Sequence, residues 1–92
     1  MRFEYDANKS KSNLDKHGVD FETAKELWLG FHLDVPARVH GETRVKSIGR
    51  IKGETFAAIW TPRAGAIRII SVRRATRRET SLYGRAEGYF NR

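Results

Sequence analysis

The chain has 92 residues, no cysteine and a formal net charge of +7. That length holds one small domain, residues 1–92, and the lack of cysteine excludes disulfides and thiolate metal sites and suits a reducing, cytoplasmic setting. No apolar run approaches the ~20 residues that cross a bilayer, and the opening Met1-Arg2-Phe3-Glu4-Tyr5-Asp6 has no signal-peptide apolar region, so no membrane is expected.

Phe3 to Tyr5 reads as a short strand. Asp6 is placed to cap a helix from Ala7 to His17, and Gly18 suits its left-handed end. Leu14 is that helix's single large apolar side chain, so docking must stabilise it. A second helix starts at Asp20, buries Phe21, Ala24, Leu27 and Trp28, and stops at Gly30. Phe31 to Val35 follows as a strand broken by Pro36. Arg44 to Ile51 and Glu54 to Thr61 flank a Lys52-Gly53 hairpin turn. Pro62 to Gly65 is a further turn, and Ala66 to Val72 is a strand apolar enough to lie inside the sheet. Thr76 and Glu79 form a capping box that opens a last helix, with Leu82, Tyr83, Ala86, Tyr89 and Phe90 as its stripe. This order predicts an α+β fold in two layers. The sheet is antiparallel or mixed, twisted, of four to five strands, with two N-terminal helices on one face and a C-terminal helix.

Charge is distributed unevenly. Residues 63–92 contain eight arginines and no lysine against Glu79 and Glu87, a net +6 of the total +7. Guanidinium groups match phosphate in two-point geometry, so an arginine-only block around Ile67-Arg68-Ile69-Ile70-Ser71-Val72 points to nucleic acid.

Metal-free RNA cleavage needs a base for the ribose 2′-hydroxyl, an acid for the leaving oxygen, and cations around a phosphorus that gains charge. Arg63, Arg68 and Arg73 are the candidates to hold the phosphate. One of Arg73 and Arg74 must share the face of Arg68, depending on register. His17 is a candidate acid or base, or simply a histidine favoured by a helix C-terminus. Glu79 is a candidate base amid arginines, or only a cap. Tyr83 stacks on a base, carries a proton, or fills the core. Three scattered histidines give no metal signature, and no cofactor is expected. A small basic module that binds nucleic acid without chemistry is the alternative.

Several segments resemble the BrnT family of type II toxin–antitoxin toxins. Phe3-Glu4-Tyr5-Asp6 with Lys9 looks like its opening F-E-[WY]-D-x-x-K. Asn13, Lys16-His17-Gly18-Val19, Phe21 and Ala24 look like its N-x-x-K-H-G-V-x-F-x-x-A. Gly41-Glu42-Thr43-Arg44 with Ile48-Gly49 is similar to a further block, as are Thr61-x-Arg63, Ile67 to Ala75, Arg78-Glu79 and Tyr83. The chain departs from the family between Phe31 and His40, where members carry an acidic, Asp-Pro-containing stretch. The resemblance implies a RelE-like fold, RNA cleavage that stops translation, and neutralisation by a BrnA-type antitoxin. It implies contact with operator DNA only through that antitoxin. Residue by residue it implies a site at His17, Arg44, Arg63, Arg73, Arg78, Glu79 and Tyr83. Together the two readings give His17, Arg63, Arg73 and Glu79 as catalytic. Arg44, Arg68, Arg74, Arg78 and Tyr83 are then RNA-binding.

Overall fold

Each helix begins where a side chain takes up the free N–H groups of its first turn. Asp6 accepts from the backbone N–H of Asn8 and Lys9 at 2.8 and 3.1 Å and starts α1, Ala7–His17. Asp20 accepts from Thr23 N–H at 2.8 Å and starts the short α2, Phe21–Ala24, which tightens into a 3-10 turn over Lys25–Leu29. Thr76 and Glu79 cap each other's backbone N–H and start α3, Arg77–Phe90. The computed structural model describes residues 1–91; Arg92 lies outside the described residues.

Strands β1 (Arg2–Glu4), β2 (Leu33–Val39), β3 (Glu42–Ile51), β4 (Glu54–Arg63) and β5 (Ala66–Arg74) form one mixed sheet in the order β1-β5-β4-β3-β2. The last four make an antiparallel meander, and β1 adds in parallel to β5, with Arg2 opposite Ala66 and Glu4 opposite Arg68. Every strand departs from its expected bounds by one to four residues at one or both ends, β2 running Leu33–Val39 instead of Phe31–Val35 and β3, β4 and β5 each extending two residues farther. Pro36 does not break β2, because β2 is an edge strand and Pro36, opposite Val45, leaves no ladder bond unmade on its outer side. The turn expected over Pro62 to Gly65 shrinks to Ala64-Gly65, both at positive φ (51° and 82°), the two-residue hairpin turn whose twist matches paired strands.

The helices lie on both faces of the sheet. Phe21, Leu27 and Trp28 pack against Phe56, Ala58, Ile69 and Val72 on the α1/α2 face. On the other face Tyr83 packs on Ile48 and Ala57, beside Phe31, Leu33 and Val35. The expected two layers therefore become three at the α3 end, because the stripe of α3 has its own apolar patch to bury.

Helix α1 docks through polar groups. Asn13 donates to the carbonyls of Val19 and Val72 at 2.8 Å each and accepts from Val72 N–H at 3.1 Å. Strand β1 covers β5 only up to Arg68, so farther along the Asn13 amide stands in for the missing neighbour strand. Ser10 accepts from Phe21 N–H at 2.9 Å and ties α1 to α2.

Candidate active site on the α3 face

The register of β4 against β5 jumps from Ile59–Ser71 to Trp60–Ile69 and leaves Ile70 as an extra residue. This bulge reverses the alternation. Plain alternation would put Arg68 with Arg74. The bulge puts Arg68, Ser71 and Arg73 on the α3 face, where Arg44 and Lys46 of β3 and Thr61 and Arg63 of β4 also lie. Helix α3 covers only the part of that face over Ile48 and Ala57.

Glu79 joins helix to sheet at the border. Its carboxylate accepts two parallel bonds from Arg73, at 2.8 and 3.0 Å, one from Lys46 at 2.7 Å and one from Thr76 N–H at 2.9 Å. The Glu79 side chain is 8 % exposed, while those of Arg73 and Lys46 are 36 % and 28 % exposed. The Arg73 guanidinium, followed by Lys46 and the Thr76 N–H, holds the Glu79 carboxyl far below the usual carboxylate range against the opposing effect of burial. In return, Glu79 raises the Arg73 pKa. A carboxylate so strongly stabilised as an anion is a weak base. What it does well is fix two cations at the edge of an uncovered sheet face. Among the described residues, three N–H bonds of Arg73 are engaged, counting one to the Arg74 carbonyl at 3.3 Å. A guanidinium has about five donors, so about two remain for a ligand.

The other predicted residues fall into three groups. Arg44, Arg63 and Arg68 share the face without meeting at one point. Arg73 stands opposite Ala57, and Arg63 is six residues farther along β4. At ~3.3 Å per residue that is roughly 20 Å, too far for one phosphate to bridge. These arginines form a track. Arg44 pairs with Glu42 at 3.0 Å and Arg68 with Glu4 at 3.5 Å, whereas Arg63 has no ion pair among the described residues.

His17 ends α1 beside the same strand. It lines a hollow of about 340 Å³ together with Lys16, Arg73 and Arg74, and a second one on the α1/α2 face with Phe56 and Arg74. Asn13 sets this position, because it anchors α1 to β5 one turn before His17.

Arg74, Arg78 and Tyr83 are placed elsewhere. Arg74 turns to the opposite face, where it pairs with Glu54 at 2.9 Å and lies over the Phe56 ring. The bulge is the physical reason. Arg78 lies exposed on the outer side of α3. Tyr83 is 2 % exposed; its hydroxyl donates to the Phe31 carbonyl at 2.9 Å, and the Arg50 guanidinium covers its ring at 5.0 Å. It fills the core and is not presented to a base.

Lys46 was missed in the sequence. Its only signal is the alternation Arg44-x-Lys46-x-Ile48-x-Arg50, which puts it on the same face as Arg44.

Residues 5–79 match the family described as "Ribonuclease toxin, BrnT, of type II toxin-antitoxin system". No curated protein matches the chain.

Proposed function

The chain belongs to the BrnT family of ribonuclease toxins of type II toxin–antitoxin systems, and on that premise we propose that it cleaves RNA without a metal on the α3 face of its sheet. The 2′-hydroxyl attacks the adjacent phosphorus, the P–O5′ bond breaks, and the products are a 2′,3′-cyclic phosphate and a 5′-hydroxyl. Arg73 and Lys46 neutralise the charge that builds on the phosphoryl oxygens. Glu79 acts as their positioning residue rather than as the base. His17, across the hollow from Arg73, exchanges the proton. Arg44, Arg63 and Arg68 hold neighbouring phosphates of an extended strand. Cleavage of this kind removes messages and stops translation, and a BrnA-type antitoxin neutralises it.

The observation that carries this reading is the buried Glu79 carboxylate gripping Arg73 in two-point geometry and Lys46 at 2.7 Å on a face left open by α3. Cations fixed in advance need no reorganisation when charge develops, and losing one such donor costs about 10²–10³ in rate. The test is the purified chain with single-stranded RNA in EDTA, with the product ends identified. Wild type yields cyclic phosphate ends, and Lys46→Met and Arg73→Ala each lose about 10²-fold or more. RNA bound in a salt-dependent way but left intact would make the protein a binding module instead. Cleavage undiminished in both variants would remove this site.

A further inference from the structure

We propose that the outward side of α3 is the docking surface for an acidic, amphipathic segment of the antitoxin protein; this rests on the toxin–antitoxin reading above. Helix α3 has two chemically different sides. Glu79, Tyr83, Ala86 and Glu87 face the sheet and are buried or half-buried. Arg77, Arg78, Ser81, Leu82 and Arg85 recur at helical spacing on the other side, are all exposed, and line one hollow of about 530 Å³.

Among the described residues, none of Arg77, Arg78 and Arg85 has a carboxylate partner, although Glu79 and Glu87 lie on the same helix. Those two carboxylates point inward, to Arg73 and Lys46 and to Arg50 respectively. Arg77 and Arg78 also occupy the first turn of α3, where the helix dipole disfavours cations. Among the described residues, three guanidinium groups thus stand unneutralised on one helix side where the fold gives them no return. Acidic side chains of a partner would supply that return.

Leu82 decides which kind of partner. It is 42 % exposed in the middle of the arginines, and their aliphatic stems extend its apolar surface. A phosphate backbone has nothing to offer a leucine, whereas an amphipathic peptide segment offers carboxylates and an apolar anchor together. The surface also faces away from the Arg73–Lys46 pair, so RNA lying on it would not be presented to those cations.

The experiment uses the full chain and the protein encoded beside the toxin gene, with affinity measured by calorimetry and RNA cleavage measured on the same preparations. Arg77→Glu with Arg85→Glu, and separately Leu82→Asp, should each keep wild-type thermal stability and RNA cleavage. The double reversal should weaken binding by about 100-fold, because it sets like charges against the partner. Raising salt from about 50 to about 500 mM should weaken the wild-type complex more than the reversed one. Unchanged affinity in both variants overturns the surface and leaves the toxin assignment standing. Loss of RNA binding or cleavage with affinity intact would make this side an RNA track and also overturn it. A neighbour product that fails to bind wild type removes the parent reading, and this surface with it.

Discussion

Replacing Asn13 with alanine tests whether a polar side chain holds α1 to the sheet. Asn13 is 6 % exposed, and its amide serves three backbone groups, the carbonyls of Val19 and Val72 and the N–H of Val72. Among the described residues, no strand pairs with β5 on that side beyond Arg68, so nothing else in the sheet serves the Val72 groups there. A buried backbone group left unpaired costs about 1–3 kcal/mol. Partial rescue by water entering the alanine void reduces the sum, and about 3–5 kcal/mol is expected for three groups. A chain of this size is stable by about 5–14 kcal/mol, so the change removes a large share. In urea unfolding followed by circular dichroism, the midpoint should fall with little change in slope, and the melting temperature should drop by more than about 12 °C. Asn13→Asp keeps the acceptor and turns a second carboxylate oxygen toward two carbonyls. It should be at least as unstable at neutral pH and recover partly in acid, where the protonated carboxyl donates again. An alanine variant within about 1 kcal/mol of wild type would mean that α1 is held by Leu14 and its neighbours instead, and the account of its docking would be wrong.

Further outcomes concern Glu79 and Gly49. Because the Glu79 carboxyl titrates below its ordinary 4.5 in the folded state, its contribution is complete above that value and is lost as pH falls. Wild type should therefore lose stability more steeply in acid than Glu79→Gln, which at neutral pH should be about 1–3 kcal/mol less stable, a figure reduced because its cationic partners are partly solvated. Gly49→Ala puts a Cβ 2.8 Å from Leu27 Cγ and 3.1 Å from the Leu27 carbonyl, so it should destabilise by about 1–3 kcal/mol in urea titration, and Leu27→Ala should relieve part of that strain.

Legibility in the sequence followed the range of the interactions. Caps are local, and they placed α1 and α3 correctly from Asp6, Gly18, Thr76 and Glu79. Periodicity found the buried Phe21, Ala24, Leu27 and Trp28, although the helix they share tightens into a 3-10 turn after Ala24. The extension of β2 through Pro36 was not legible, because whether a proline breaks a strand depends on whether that strand lies at an edge. The side of the sheet taken by α3 was equally hidden. It depends on which face still has unburied apolar residues once α1 and α2 are in place.

The bulge at Ile70 had the largest consequence for the candidate site. Counting alternate residues from Arg68 selects Arg74, and the extra residue selects Arg73 instead. Only Arg73 then meets Glu79, and only through Glu79 does Lys46 join it. Straightening the strand with Ile70 kept would turn Arg74 rather than Arg73 toward α3, whereas deleting Ile70 would restore plain alternation with Arg68, Ser71 and Arg73 still on that face. A candidate active site in this chain therefore depends less on how many arginines the last third contains than on one unpaired strand residue that decides which of two adjacent arginines faces α3. Six further arginines divide between a track along the sheet (Arg44, Arg63 and Arg68) and the outer side of α3 (Arg77, Arg78 and Arg85). One helix thus separates a surface suited to a phosphate strand from one suited to an acidic protein. Both can be occupied at once, so inhibition by a partner on the outer side would need a further segment of that partner to reach the sheet face.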